Sequence, residues 1–534
     1  EYLSSVKENK MTDFESDVVV LGAGVSGLVT AKCLAEDGFK VCIIEKTSDI
    51  GGLWTYREKD YGVMKCTHIN VSKYNYAFSD FPFPEDVPDY PHHSDMAKYI
   101  KDYANKFQLL KLIHFNTKII GVDNEDGKWV TRCCKVDEDG KEDFQQMLIF
   151  TSSYVAVATG HHAKPNFPSI EGADTFRGKT LHAVSYKDPS YNDCVGQRVL
   201  IVGIGNSAVD VAVDCATIGR CPDVTISTRS GAWVIPNYIF GLATDLYACR
   251  FFFLFPRSIA NFIMSLVIML VSGSPWRWGL NPKMRPLQTQ PTVSPTLIHH
   301  IQRGNIKIKP DILNIRGNTV KFVDGTSAKY DRIVYCTGYT IDLPFLSSRV
   351  TDCVLQFSSK KMQLGPPLYK NVFDPYVGHS LAFIGFVQPA SGGIITMSEM
   401  QARWFSKLCK GEVKLPNTDE MSADIENEKK IQSGRWYQTA RHTLQKDPIV
   451  YNDEIGEIIG AKPKLFQNPL LTWRLIFSSG GASQWRLNGP NTWQDAAKHV
   501  RKVPVPFLWN LTGYFVIFGF LVIVSLFMKC LCCC

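Results

Sequence analysis

No long block of lysine or arginine occurs in this chain of 534 residues. Its 58 basic and 51 acidic residues leave a formal charge of +7. Over such a length that excess is mild. It suits an anionic cofactor or an anionic membrane surface and gives no argument for nucleic acid. The 16 cysteines lack the spacing of a disulfide framework, which points to a reduced, cytosol-facing protein. Residues 1–16 are polar, with no apolar core of a secretory signal. Residue 1 is Glu, so a truncated or processed start is expected. No repeat of solenoid period is evident, and no metal ligand set is assigned. Hydrophobic residues at 45% and charged residues at 20% exclude disorder on a large scale. The length suggests two or three structural units.

Long apolar runs are scarce, and the longest ends the chain. Phe507 to Met528 carries no charge and is long enough, at about twenty residues, to span a bilayer as a helix. Arg501 and Lys502 precede it and Lys529 follows. A transmembrane tail anchor is expected over 507–528, with a buried core helix as the alternative. Residues 250–275 are also apolar, but the clean stretch from Phe262 to Val271 is too short to span. It reads equally as a core helix or an interfacial patch.

One motif type occurs twice. Val18 to Leu21 reads as a buried strand and enters Gly22-Ala23-Gly24-Val25-Ser26-Gly27. A helical stretch, Leu28 to Asp37, and a second strand, Lys40 to Glu45, follow. Pyrophosphate must approach backbone N–H groups at a helix N-terminus, and side chains would block it. Gly22, Gly24 and Gly27 meet that need. Glu45 stands where a carboxylate accepts the ribose hydroxyls. Gly51-Gly52-Leu53-Trp54 implies a further close backbone approach to cofactor, with a simple turn as the alternative. The unit reads as an FAD site.

The second copy is Arg198 to Val202, then Gly203-Ile204-Gly205-Asn206-Ser207-Ala208, a helical stretch from Val209 to Ile218, and a strand from Asp223 to Ser227. No acid follows that strand. The chain reads Ser227-Thr228-Arg229-Ser230. Thr228 and Arg229 suit a 2′-phosphate that a carboxylate would repel, which selects NADPH over NADH. A solvated surface arginine is the alternative. Two strand-to-glycine runs, Val155 to Gly160 and Ile333 to Gly338, are expected to close the two units.

Two dinucleotide sites imply hydride transfer from nicotinamide to flavin. A disulfide reductase needs a close cysteine pair by the FAD unit. Cys33, Cys42 and Cys66 stand far apart, which favours oxygen or a soluble acceptor.

Between the two units lies Phe176-Arg177-Gly178-Lys179-Thr180-Leu181-His182-Ala183-Val184-Ser185-Tyr186. It resembles the identifying FxGxxxHxxxY sequence of the class B flavin-containing monooxygenases. Ser79 to Asp86 and Glu399 to Trp404 resemble stretches of the animal microsomal, N-oxide-forming dimethylaniline monooxygenases. The resemblance runs from about Asp17 to Met528. It implies that NADPH reduces FAD, that oxygen adds to give a hydroperoxyflavin, and that retained NADP⁺ shields it. A soft nucleophile, a small lipophilic tertiary amine or sulfide, then takes oxygen. It also implies Asn70 as the catalytic residue near the flavin, and structural roles for His182 and Tyr186. Tyr186 stands where Baeyer–Villiger relatives usually carry Trp, which favours N- and S-oxygenation. Tyr335-Cys336-Thr337-Gly338-Tyr339 and the proline-rich stretch from Asn281 to Pro310 depart from the family pattern. The second departure leaves the substrate range open.

The expected fold is α/β, with two Rossmann-like domains plus a C-terminal transmembrane helix. A polar extension (1–16) precedes the first part of the FAD domain (17–190). The NADPH domain (191–334) is inserted before the second part of the FAD domain (335–505). The resemblance implies an endoplasmic reticulum membrane location with the catalytic domain facing the cytosol. A homo-oligomer is left open. Baeyer–Villiger oxygenation of ketones and an NADPH oxidase releasing hydrogen peroxide are the alternative activities.

Overall fold

The computed structural model describes residues 10–59, 61–137, 140–162, 164–347, 350, 367–437 and 444–515. In chain order its principal strands are β1 (Val18–Leu21), β2 (Val41–Ile44), β3 (Ile113–His114), β4 (Tyr154–Val157), β5 (Lys179–His182), β6 (Arg198–Val202), β7 (Asp223–Ser227), β8 (Ile306–Lys309), β9 (Arg332–Tyr335) and β10 (Leu381–Phe383). The helices that matter most are α1 (Val25–Glu36), α2 (Asn206–Thr217), α3 (Arg257–Ser272) and α4 (Ile394–Cys409).

Two five-stranded sheets carry the fold. The first has the order β10-β4-β1-β2-β3, the second β5-β9-β6-β7-β8, and every pairing in both is parallel. All four residues of β1 and of β2 are buried. That is why these strands read as continuous apolar runs: a parallel sheet covered on both faces has no wet side. α1 and α4 pack on one face of the first sheet. A four-stranded sheet, built from residues 10–15, 117–125, 128–136 and 142–152, covers the other. α2 lies on the second sheet.

The two family-like stretches meet in the interior. Glu399 on α4 accepts hydrogen bonds from Ser79 N (2.7 Å) and Ser79 Oγ (2.5 Å). Arg486 bridges Glu399 (2.5 Å) and Asp80 (3.0 Å), and Lys32 of α1 also pairs with Asp80. Burial opposes charge on Asp80, but Arg486 and Lys32 hold its carboxyl below the usual carboxylate range. A buried charge persists only when paired in this way.

Several expectations need correction. Both glycine-turn helices begin three residues earlier than their composition suggests, directly after Gly24 and Gly205. The glycine-rich residues form the first helical turn, because the turn must deliver a helix N-terminus to the cavity. The domain boundary at 190 cuts off an edge strand: Lys179–His182 pairs with β9 in the second sheet. The segment 250–275 is no core helix. On α3 only Ala260, Asn261 and Ile268 are buried, while Phe262 is 70% and Leu270 71% exposed. Of the expected tail anchor, residues 507–515 are helical and residues 516–528 lie outside the described residues. No helix among the described residues is long and apolar enough to cross a membrane.

Candidate active site

Both glycine turns open into one cavity of about 2390 Å³. A single ligand pocket measures about 300–1,000 Å³, so this one has room for two dinucleotides. Its wall includes every residue assigned from the sequence to cofactor binding or catalysis except Gly27.

Gly27 serves packing instead. A Cβ there would collide with the Gly22 carbonyl oxygen, so only glycine lets α1 lie against the end of β1. Gly22 itself has φ +103°, and its N–H donates to Ile44 O (2.8 Å). Gly52 has φ +59°, and a Cβ on it would stand 3.2 Å from the Gly24 Cα. The Gly24 turn and the Gly52 turn thus face each other at backbone contact. Gly24 and Gly205 are the N-caps of α1 and α2. Neither helix has a side-chain cap or an acid in its first turn. Their free N–H groups, at the positive end of each helix dipole, suit an anionic pyrophosphate.

Glu45 is buried at the end of β2. Its carboxylate accepts from Ala23 N (2.8 Å), Thr47 N (2.9 Å) and Thr47 Oγ1 (2.9 Å). Those bonds fix its orientation. A carboxylate offers about four acceptor sites, so one remains for a ribose hydroxyl. At the second turn, Gly203 N donates to Ser227 O (2.9 Å) and Asn206 Oδ1 accepts from Val293 N (2.9 Å). Thr228 Oγ1 accepts from Gly231 N (3.1 Å), and Arg229 is exposed on the cavity wall.

Asn70 lines the same cavity. Its segment is held by a residue the sequence did not reveal. The buried Asp245 accepts from Ser72 N (3.0 Å), Ser72 Oγ (2.7 Å) and Asn75 Nδ2 (2.6 Å). Burial pushes the Asp245 carboxyl upward, and the Ser72 and Asn75 hydrogen bonds pull the other way. No motif marks this aspartate, which lies 173 positions after Ser72. His161 was also missed. It contacts Gly385 O (3.0 Å) and Gln388 Oε1 (3.2 Å), and burial lowers its basicity. On α2, burial and then Asp214 raise the cavity-lining Asp210 to about 7.

His182 and Tyr186 are tied inward. His182 Nε2 lies 3.1 Å from Gly338 O, while Nδ1 accepts from Val184 N (3.2 Å). That pattern assigns the proton to Nε2 of a neutral ring, and burial lowers the His182 pKa. Tyr186 is fully buried and donates to Asp214 (3.0 Å).

The family model described as flavin-binding monooxygenase-like matches residues 15–503. Among curated relatives, dimethylaniline monooxygenase [N-oxide-forming] 2 of Rattus norvegicus is 36% identical over 507 residues, covering 90% of each chain. Flavin-containing monooxygenase 5 of Mus musculus is 34% identical over 509 residues, covering 90% of this chain and 91% of its own. Among solved structures, the S-allyl-L-cysteine S-oxygenase of Allium sativum superposes with a TM-score of 0.60 at 24% identity, over 84% of this chain and 89% of its own. A cyclohexanone monooxygenase in an open form gives 0.59 at 17% identity, over 84% and 98%. These two likenesses speak to fold.

Proposed function

This chain belongs to the flavin-binding monooxygenase-like family, and on that premise we propose that it is an NADPH- and O₂-dependent oxygenase of tertiary amines and sulfides. The observation that carries this reading is the single cavity joining two uncapped glycine-turn helices. Bound FAD and NADPH supply the redox chemistry, in which one NADPH, one proton and one O₂ convert substrate to its oxide, NADP⁺ and water.

The residues divide the work. Gly22, Gly24, Glu45 and the Gly52-Leu53-Trp54 turn hold FAD. Gly203, Gly205, Asn206 and Ser207 hold the pyrophosphate of NADPH, and Thr228 and Arg229 its 2′-phosphate. Asn70, on the cavity wall, would face the flavin, and Asp245 would be its positioning residue through Ser72. Keeping water from the filled cavity would protect a reactive oxygen species from wasteful breakdown. The FAD domain is discontinuous, with the NADPH domain inserted.

The protein binds the endoplasmic reticulum membrane through the apolar tail at 507–528. Phe262, Leu266 and Leu270 of α3 make a second contact. Large exposed apolar side chains clustered on one helix mark such a surface. Deleting residues 507–534 should release active enzyme, and persistent sedimentation would identify α3 as sufficient.

The deciding experiment measures NADPH consumption against N-oxide or sulfoxide formed. One oxide per NADPH supports the proposal. Peroxide equal to NADPH with every substrate indicates an oxidase, and ester from ketones without amine oxidation indicates a Baeyer–Villiger enzyme.

A further inference from the structure

Three free thiols, Cys194, Cys215 and Cys221, meet at the C-terminal end of α2, outside the cavity lining. Cys194 and Cys215 are fully buried and Cys221 is partly exposed. The Cys221 thiol donates to Cys194 O (3.0 Å), and Cys215 Sγ lies 3.6 Å from the Tyr186 hydroxyl. Where α2 ends, the chain folds back on itself. Gly219 N donates to Asp214 O (3.0 Å) and Cys221 N to Cys215 O (3.1 Å). A backbone bond of that length holds the two α-carbons near the separation a disulfide spans, about 4.4–6.8 Å.

Cys194 and Cys221 differ from the other thiols in being drawn below their ordinary value, while Cys215 is pushed up. Burial pushes Cys33, Cys42 and Cys66 up to about 12, which leaves them inert. Cys221 is drawn below its ordinary value by the neighbouring Cys215 thiol; burial opposes this, and the backbone N–H groups of Gln197 and Gly196 add to it. Its partial exposure also gives a small oxidant access.

We propose that Cys221 and Cys215 form a peroxide-oxidised dithiol, with Cys221 as the attacking sulfur and Cys215 as the resolving one. The Cys221 sulfur attacks one oxygen of hydrogen peroxide. The O–O bond breaks, a sulfenic acid forms, and one water leaves. Cys215 then displaces the sulfenic hydroxyl, the S–S bond forms, and a second water leaves. Two thiols lose two electrons, and one peroxide is reduced to two waters. A flavoenzyme that reduces oxygen by two electrons without transferring it releases hydrogen peroxide, so on the reading proposed above this enzyme would itself supply the oxidant.

The test adds hydrogen peroxide to the holoenzyme, alkylates the remaining thiols and digests with trypsin. Cleavage after Arg198, Arg220 and Arg229 separates Cys215 from Cys221. A disulfide therefore joins peptide 199–220 to 221–229 until reductant is added. The linked pair is expected in the wild type and absent in Cys221→Ser. In a Cys194→Ser/Cys215→Ser variant that retains flavin, dimedone should label Cys221. Both thiols remaining alkylatable after peroxide, or a link from Cys215 to Cys194 alone, overturns the proposal. The wild-type result stands without the variants. Because the peroxide is added, the outcome does not depend on the oxygenation reading.

Discussion

Replacing Arg229 with alanine tests the cofactor preference most directly. Arg229 lies on the wall of the shared cavity, exposed, just beyond β7. Two unit charges about 4 Å apart attract by about 1 kcal/mol in water and about 4 kcal/mol near a protein surface. A ribose phosphate carries more than one charge at neutral pH, and a bidentate guanidinium adds hydrogen bonds of about 1.5–3 kcal/mol each. Exposure and salt screening, with a Debye length of about 8 Å at physiological ionic strength, return much of this to solvent. A net loss of about 1.4 kcal/mol remains, equivalent to a tenfold change. The KM for NADPH should therefore rise about tenfold in Arg229→Ala, while that for NADH stays within about twofold. Raising the salt should narrow the difference between wild type and variant. Arg229→Lys should recover part of the loss, since lysine keeps the charge without the fork. Steady-state NADPH and NADH oxidation on the flavin-loaded enzyme reads all four values. Equal shifts for both cofactors would refute the reasoning and remove Arg229 from the 2′-phosphate site.

Three further outcomes are expected. Gly27→Ala forces a methyl group into the Gly22 carbonyl; overpacking costs about 1–3 kcal/mol, so flavin content per chain and melting temperature should both fall. Normal flavin content would show that the turn can shift. Asp210 is held near 7 by burial, so it is neutral below that pH and anionic above it. NADPH affinity should weaken as pH rises through about 7, because the new charge faces an anionic ligand. Its folded pKa also exceeds the unfolded value of 3.8, so the stability that its protonation provides is lost over the same rise from about 4 through 7. Asp210→Asn should flatten both profiles; an unchanged slope would exclude Asp210. Asp245→Ala leaves Ser72 and Asn75 without their acceptor, each such loss costing about 1–3 kcal/mol. Its oxide yield per NADPH should drop while bound flavin remains, as should that of Asn70→Asp. Full coupling in Asp245→Ala would make that aspartate purely structural.

The two glycine turns were legible because their cause is local. A positive φ at Gly22 or Gly203, or a strand that enters a helix N-terminus, is written in adjacent residues. Strands β1 and β2 were legible for the same reason: a strand buried on both faces is apolar throughout. Glu45 follows β2 directly and Arg229 follows β7 at a short offset, and the structure places both on the cavity wall.

Other features had no local cause. The apolar pattern of α3 was compatible with burial or exposure, because periodicity says which face is apolar and not what covers it. Lys179–His182 is an edge strand only because β9, about 150 residues later, lies beside it. Asp245 reaches Ser72 from the other unit, and nothing near either residue announces the pairing. Cys194, Cys215 and Cys221 show no framework spacing, yet the turn that ends α2 gathers them. The sequence by itself therefore determined the two dinucleotide units, their order and their cofactor chemistry, since those depend on contacts within about thirty residues. Tertiary structure alone decided that both units share one cavity, what positions Asn70, and which face of α3 stays uncovered. Those depend on surfaces that meet only after the chain has folded, and charge and burial act through space rather than along the sequence.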